Sequence, residues 1–202
     1  MCEKAFLMST ISPLMQVDNT HEMIKYGAWA LACLSENVET HKKIINASAL
    51  PTLSLLILKQ IHYEITKYCI ITISNLAQDA ENYDLLISLE CREYLILKQL
   101  DQGDNEVQYY ILRFLLGLCR NSGDKVPNMP KFLIMTHYLE PLLRCVVSAD
   151  EKVAHTTLEL LRCLITSDKN QEKLMSFNIT GKLYHLYHSF KSGGKESYDI
   201  MK

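Results

Sequence analysis

Histidine and cysteine are the side chains best suited to hold a metal or act as nucleophiles, and this chain of 202 residues has seven of each. The histidines stand at 21, 41, 62, 137, 155, 185 and 188. His185 and His188 are one helical turn apart, a spacing that lets two imidazoles share an ion, yet no nearby Cys, Asp or Glu completes a ligand set. The cysteines, at 2, 33, 69, 91, 119, 145 and 163, are odd in number, widely spaced and mostly set in apolar helical stretches, with no CxxC pair. They read as small buried hydrophobes in a reducing compartment. Glycine-rich phosphate loops, nucleophile elbows and pocketed carboxylate pairs are missing from the sequence. Glu22, Glu64 and Glu106 recur at intervals of 42 residues, but each opens an apolar helix, where a carboxylate favours the helix dipole. The chain is expected to be no enzyme and to need neither metal nor cofactor.

The recurrence of those glutamates belongs to a larger repeat. Ala28-Trp29-Ala30-Leu31-Ala32-Cys33-Leu34-Ser35 aligns with Ile70-Ile71-Thr72-Ile73-Ser74-Asn75-Leu76-Ala77 at a shift of 42, and with Leu112-Arg113-Phe114-Leu115-Leu116-Gly117-Leu118-Cys119 after another 42. A fourth copy, Leu158-Glu159-Leu160-Leu161-Arg162-Cys163-Leu164-Ile165, follows after 46. The four extra residues fall among the turn formers of 121–130, so they read as a loop insertion. In the clearest copy the spacing predicts a first helix over Glu39 to Ile45, a second over Leu50 to Leu58 opened by Pro51, and a third over Tyr63 to Leu76. Each third helix carries one apolar stripe: Met23, Gly27, Ala30, Leu31 and Leu34; Ile65, Cys69, Thr72, Ile73 and Leu76; Val107, Ile111, Phe114, Leu115 and Leu118; Val153, Thr157, Leu160, Leu161 and Leu164. All-helical units of 40 to 47 residues cannot bury such stripes alone and stack to do so.

Composition agrees. At 48% apolar residues the chain can build a substantial core, which stacking extends lengthwise in one domain. A net charge of -2 and a pI near 6.4 lack the basic footprint of a nucleic-acid binder. No run of 18 apolar residues and no signal-like N-terminus is present, so a cytoplasmic location and no membrane span are expected.

Several segments resemble the armadillo repeat found in beta-catenin and importin alpha: Ala49-Leu50-Pro51-Thr52-Leu53, Asp104-Asn105-Glu106-Val107-Gln108, Ala28-Trp29-Ala30-Leu31, and Ser74-Asn75-Leu76-Ala77 followed by Glu81-Asn82. The resemblance covers about residues 5–190. It implies an all-α, right-handed α-α superhelix of about four repeats of roughly 42 residues: a partial first unit 1–34, units at about 35–76, 77–118 and 119–164, and a final partial unit 165–190; the polar residues 191–202, with Ser192-Gly193-Gly194, read as a flexible tail. The glycine usual between first and second helices is replaced by Ser48, and no clear glycine marks the matching places elsewhere, so those turns must be made differently. Ile11-Ser12-Pro13-Leu14-Met15 resembles a second helix with little before it. The N-terminal unit is therefore expected to be covered by another chain or by part of a longer protein.

By the same resemblance the third helices line a concave groove that takes an extended peptide or a helical segment of a partner protein. In importin alpha an asparagine ladder clamps the peptide backbone, since an amide both donates and accepts. That position reads Cys33, Asn75, Gly117 and Cys163, and the accompanying tryptophan position reads Trp29, Ile71, Arg113 and Glu159. One rung of each kind survives, in different units, which excludes an import-receptor reading. One turn earlier stand Lys25, Lys67, Tyr109 and His155, and one turn later Glu36, Gln78, Arg120 and Thr166. Lys25, Lys67, Arg113 and Arg120 would suit acidic side chains in the partner. Tyr94, Tyr109, Tyr110, Tyr138, Tyr184 and Tyr187 are further candidate anchors, although tyrosines on such helices also finish a core. The expected function is a protein-binding scaffold or adaptor; the alternative is a structural subunit of a large cytoskeletal or ciliary assembly, with a location to match.

Overall fold

The computed structural model describes the backbone of residues 11, 13–121, 136–165, 168–176, 178–181, 183, 184 and 188, and every regular element among them is helical. In chain order these are α1 (His21–Ser35), α2 (Val38–Asn46), α3 (Ala49–Lys59), α4 (Tyr63–Leu76), a 3-10 turn (Ala80–Asn82), α5 (Tyr83–Ile87), α6 (Arg92–Tyr94), a π turn (Leu95–Gln99), α7 (Leu100–Gln102), α8 (Asn105–Asn121), α9 (Thr136–Cys145), α10 (Glu151–Leu164) and α11 (Asp168–Ser176). The three helices expected in the clearest copy are α2, α3 and α4. The insertion at 122–130, the tail 191–202 and the side chains of Tyr138, Thr166, His185 and Tyr187 lie outside the described residues.

Capping sets the start of each long third helix. The Thr20 hydroxyl accepts from the Met23 amide at 3.4 Å, His62 Nδ1 from the Glu64 amide at 3.3 Å, Asp104 from the Val107 amide at 2.9 Å, and Asp150 from the Val153 amide at 3.1 Å. These four residues are spaced by 42, 42 and 46, the same intervals as the apolar pattern. Each supplies an oxygen or ring nitrogen to an amide that has no partner within its helix. Side chains also close the far ends of three of these helices. The Thr40 hydroxyl donates to the Leu34 carbonyl, the Asn82 amide to the Leu76 carbonyl at 3.0 Å, and the Gln171 amide to the Ile165 carbonyl at 3.0 Å, each reaching back six residues.

The chain divides into two compact units, Met1–Leu95 and Ile96–Lys202. In the first, α1 and α3 both pack on α4. Ile65, Cys69, Thr72, Ile73 and Leu76 are all buried, together with Ile24, Ala28 and Leu31 of α1 and Leu53, Leu56 and Ile57 of α3. In the second unit α8 packs on α10, with α9 against α10 and α7. Val107, Ile111, Phe114, Leu115 and Leu118 are buried on α8, and Val153, Thr157, Leu160, Leu161 and Leu164 on α10. A fully buried apolar side chain of this size contributes about 1.5–3 kcal/mol, so each complete stripe is a major part of its unit's stability.

The stripe assigned to the first copy needs correction. Met23 is 41% exposed, Ala30 and Leu34 are half-buried, and the face of α1 that is buried runs instead through Ile24, Gly27, Ala28, Leu31, Ala32 and Ser35. Among the described residues α1 packs chiefly on α4, more lightly on α2, and against the segment at 13–15. A Cβ at Gly27 would stand 2.9 Å from the Met15 side chain, so the missing side chain there admits that segment.

Ser48, standing in the expected glycine position, has φ of 53°. Asn178, at the equivalent position of the last partial unit, also has φ of 53°, whereas Glu90, one copy after Ser48, does not enter this region, so its turn is built differently. A left-handed conformation costs a side-chain-bearing residue about 1–2 kcal/mol. Ser48→Gly is therefore expected to stabilise the chain by about 0.5–1 kcal/mol, and Ser48→Val to destabilise it by at least that much, read as opposite shifts in thermal midpoint of about 2–4 °C. A lower midpoint for the glycine variant would contradict this account of the turn.

Candidate functional site

The expected groove residues fall into two sets, one in each compact unit. In the first, Lys25 and Trp29 project from α1, and Lys67, Ile71 and Asn75 belong to α4. Lys25 Nζ is 2.7 Å from a Glu64 carboxylate oxygen, so the two helices are tied across their outer face. That hydrogen bond raises the Lys25 ammonium above the usual lysine range and holds the Glu64 carboxyl below the usual carboxylate range. Glu64 thus serves a second role beyond opening its helix. Lys67 Nζ lies 5.9 Å from the ring centroids of both Tyr63 and Tyr68, a cation held over two aromatic faces.

Trp29 is 51% exposed and Tyr26, on the same helix, 59%. Tyr63 is also exposed, and Ile71 is half-buried. Asn75, by contrast, is buried, and its amide donates to the Ser35 hydroxyl at 3.0 Å. Ser35 in turn donates to the Ala32 carbonyl at 2.7 Å, and its own carbonyl meets His41 Nε2 at 2.8 Å. His41 is buried with Nδ1 3.7 Å from an Asp79 carboxylate oxygen. Asn75 therefore stands inside a polar junction that joins one repeat to the next, and it does not project freely from the surface.

In the second unit Tyr109, Arg113 and Arg120 belong to α8, and His155 and Glu159 to α10. Arg120 Nη2 donates to Glu159 Oε2 at 2.7 Å, again a link between neighbouring third helices. The rings of Tyr109 and Tyr110 meet edge to face with centroids 5.1 Å apart. Arg113 is half-buried and His155 exposed. Two of the four cations expected to meet an acidic partner, Lys25 and Arg120, are thus already engaged by carboxylates of the adjacent repeat. Exposed pairs of this kind are individually weak and exchange readily with other charges.

The paired residues lie 39 positions apart on separate helices, so no local pattern joins them. Lys25-Tyr26 and Lys67-Tyr68 recur at the repeat interval, which was the available signal for a shared aromatic and basic surface. Of the expected tyrosine anchors, Tyr94, Tyr109 and Tyr110 are half-buried and Tyr184 is exposed.

The remaining candidates for chemistry are dispersed. Among the described residues no three His, Cys, Asp or Glu side chains gather as metal ligands, and His188 lies against Tyr184 with ring centroids 4.2 Å apart. Cys69, Cys91 and Cys145 are buried, Cys119 and Cys163 half-buried, and all are unbridged. Burial pushes the Cys69 and Cys91 thiols above the ordinary range and those of Cys119 and Cys145 up to about 12. Cys33 departs from the buried-hydrophobe reading, for it is exposed on α1. No helix among the described residues is long and apolar enough to cross a membrane.

No family model and no curated protein sequence matches the chain. Solved structures do. A designed armadillo repeat protein in complex with the peptide (KR)4 is 24% identical with a TM-score of 0.76, over 95% of this chain and 77% of that one. A second designed armadillo repeat protein is 19% identical with a TM-score of 0.77, over 98% and 78% of the two chains. Computationally designed armadillo repeat proteins for modular peptide recognition are 20% identical with a TM-score of 0.77, over the same shares. The chain has an armadillo-like repeat fold.

Thiol accessibility checks the placement of these helices. Alkylation of the native chain followed by peptide mapping is expected to modify Cys33 readily and Cys69 more than about a hundredfold more slowly, since Cys69 must wait for local opening. Comparable rates at the two thiols would contradict the packing of α4.

Proposed function

We propose that the chain is a protein-binding scaffold that receives a segment of a partner on the exposed faces of its third helices. The observation that carries this reading is the exposure of Trp29, with Tyr26 beside it, on a helix whose opposite face is closely packed. Large aromatic side chains left in water lose little conformational entropy on binding and are the most frequent anchors of protein interfaces. Structural neighbours designed for peptide recognition, one of them holding a (KR)4 peptide, support the use of such a fold for binding a polypeptide.

In this reading Trp29 and Ile71 supply apolar contact, Lys25 and Lys67 contact the partner's polar groups, and Tyr109, Arg113, Arg120, His155 and Glu159 do the same on the second unit. Asn75 acts through the junction it stabilises. An acidic partner segment would draw Lys25 and Arg120 away from Glu64 and Glu159, exchanging one carboxylate for another. The gain from charge is therefore smaller than a count of cations suggests, and the aromatic contacts matter more.

A second reading, a subunit of a large cytoskeletal or ciliary assembly, is favoured by one observation: Met23, Ala30 and Leu34 form a half-open apolar strip on α1. An assembly partner would cover that strip. In that case the isolated chain would aggregate, and Met23→Lys would restore its dispersity.

Selection of binding segments from a displayed peptide library tests the first reading. Trp29→Ala is expected to weaken the selected segments about thirtyfold, the effect of losing a hot spot of ~2 kcal/mol, with the melting temperature unchanged. Lys67→Glu with Arg113→Glu is expected to weaken acidic segments further and to spare neutral ones. Segments that bind Trp29→Ala undiminished would overturn the assignment, and acidic segments indifferent to the charge reversal would remove the acidic preference.

A further inference from the structure

A second surface lies away from the third-helix faces, between the second helix of one repeat and the first helix of the next. There α3 and α5 border a groove of about 450 Å³, wholly within the first compact unit. Pro51 and Leu55 of α3 form one wall, and Leu85 and Leu89 form the other. Ser54 and Ser88 also line it and are too small to fill it. Ser54 is held in place, since its hydroxyl accepts from the Cys91 amide at 3.2 Å and so fixes the turn before α6 against α3.

The rim is unusually apolar for an open surface. Leu55 is 42% exposed and Leu85 47%, and Leu58 is exposed one turn beyond Leu55. Pro51, Leu55 and Leu58 are therefore an exposed strip at helical spacing of four and three residues along α3, on the side opposite to its buried Leu53, Leu56 and Ile57. An open groove lined by leucines from two neighbouring elements matches the way an amphipathic helix is received, with side chains at i, i+4 and i+7 entering together.

Charge chooses the kind of helix. Glu90 is the one charged residue among those lining the groove, while the exposed Asp84 and Lys59 on its two bordering helices do not line it. Lys42 and Lys43 precede Ile45 on α2 but do not line the groove. We propose that this groove docks an amphipathic helix of another protein, with leucine-like side chains in the trough and lysine or arginine along the flank facing Glu90. The site is separate from the third-helix surface, so the scaffold can hold two polypeptides at once.

The test uses the full chain and two synthetic helical peptides, one with leucines at i, i+4 and i+7 flanked by lysines, the other with glutamates replacing the lysines. Backbone amide shifts are followed by NMR, with Trp29 fluorescence reporting the other surface. The lysine peptide is expected to saturate with shifts centred on Leu55, Leu85 and Leu89 and no change at Trp29, and the glutamate peptide to bind about tenfold more weakly. Leu55→Asp is expected to abolish binding with an unchanged helical spectrum, and Glu90→Lys to reverse the preference between the peptides. Equal affinity for both peptides, shifts centred on α1 and α4, or undiminished binding to Leu55→Asp would overturn the proposal. So would self-association that Leu55→Asp abolishes, which would make a second copy the occupant, or preferential binding to anionic lipid vesicles. Loss of the third-helix assignment leaves this test untouched, because Trp29→Ala is not expected to change the peptide shifts.

Discussion

A helix with one apolar stripe has to bury that stripe against something that recurs in the same register, and in this chain the partner is the equivalent helix of the neighbouring repeat. Within the first compact unit α1 lies on α4, and within the second α8 lies on α10. The stripe admits few alternatives. A shift of one residue would rotate Leu76, Leu118 or Leu164 by about a quarter turn or more out of the core, each with a penalty of ~2–3 kcal/mol. Holding the register is therefore the task of the residues at the helix ends, and they recur at the same intervals as the stripe itself.

Those end residues also explain why the surface looks as it does. The Ser35 and Leu76 carbonyls at the ends of α1 and α4 accept buried hydrogen bonds and that of Leu34 a part-buried one, and unsatisfied carbonyls in such a place are costly. Thr40, Asn82 and His41 answer that demand, and Asn75 joins Ser35 in the same junction. Asn75 is only 5% exposed, so its amide serves the junction instead of facing a ligand. The outer faces are joined separately, by Lys25 with Glu64 and by Arg120 with Glu159, leaving Trp29 and Tyr26 as the most available contact groups of α1. Stability and binding draw on neighbouring residues of the same helices, so the choice of which amides and cations are committed to packing shapes what remains for a partner.

The repeat interval, the three helices of the clearest copy and the buried stripes of α4, α8 and α10 were all legible in the sequence, because a period of three and four residues maps directly onto one helical face. The left-handed Ser48 was half legible: its place was marked by a missing glycine, but the conformation was not. What failed was information about neighbours. Met23 matched the pattern of Ile65 and Val107 yet lies partly in water, since no third helix packs on that side of α1 among the described residues. Cys33 looked like the other helical cysteines and is exposed. Lys25 and Arg120 looked like ligands for a partner's acids, and their carboxylate partners stand 39 residues further along, a distance that no local pattern connects. The groove between α3 and α5 was equally hidden, for the repeat pattern singles out the third helices and says nothing of Leu55 and Leu85.

Native-state hydrogen exchange tests the central claim most directly, because it ranks helices by how firmly their packing holds them closed. If paired third helices form the core, the slowest amides will lie at the centres of α4, α8 and α10 and will exchange only with global opening of their unit. Those of α1, with one side of its stripe uncovered, will exchange faster. Slowest exchange in α2 or α9, or protection as high in α1 as in α4, would contradict a core built from third helices.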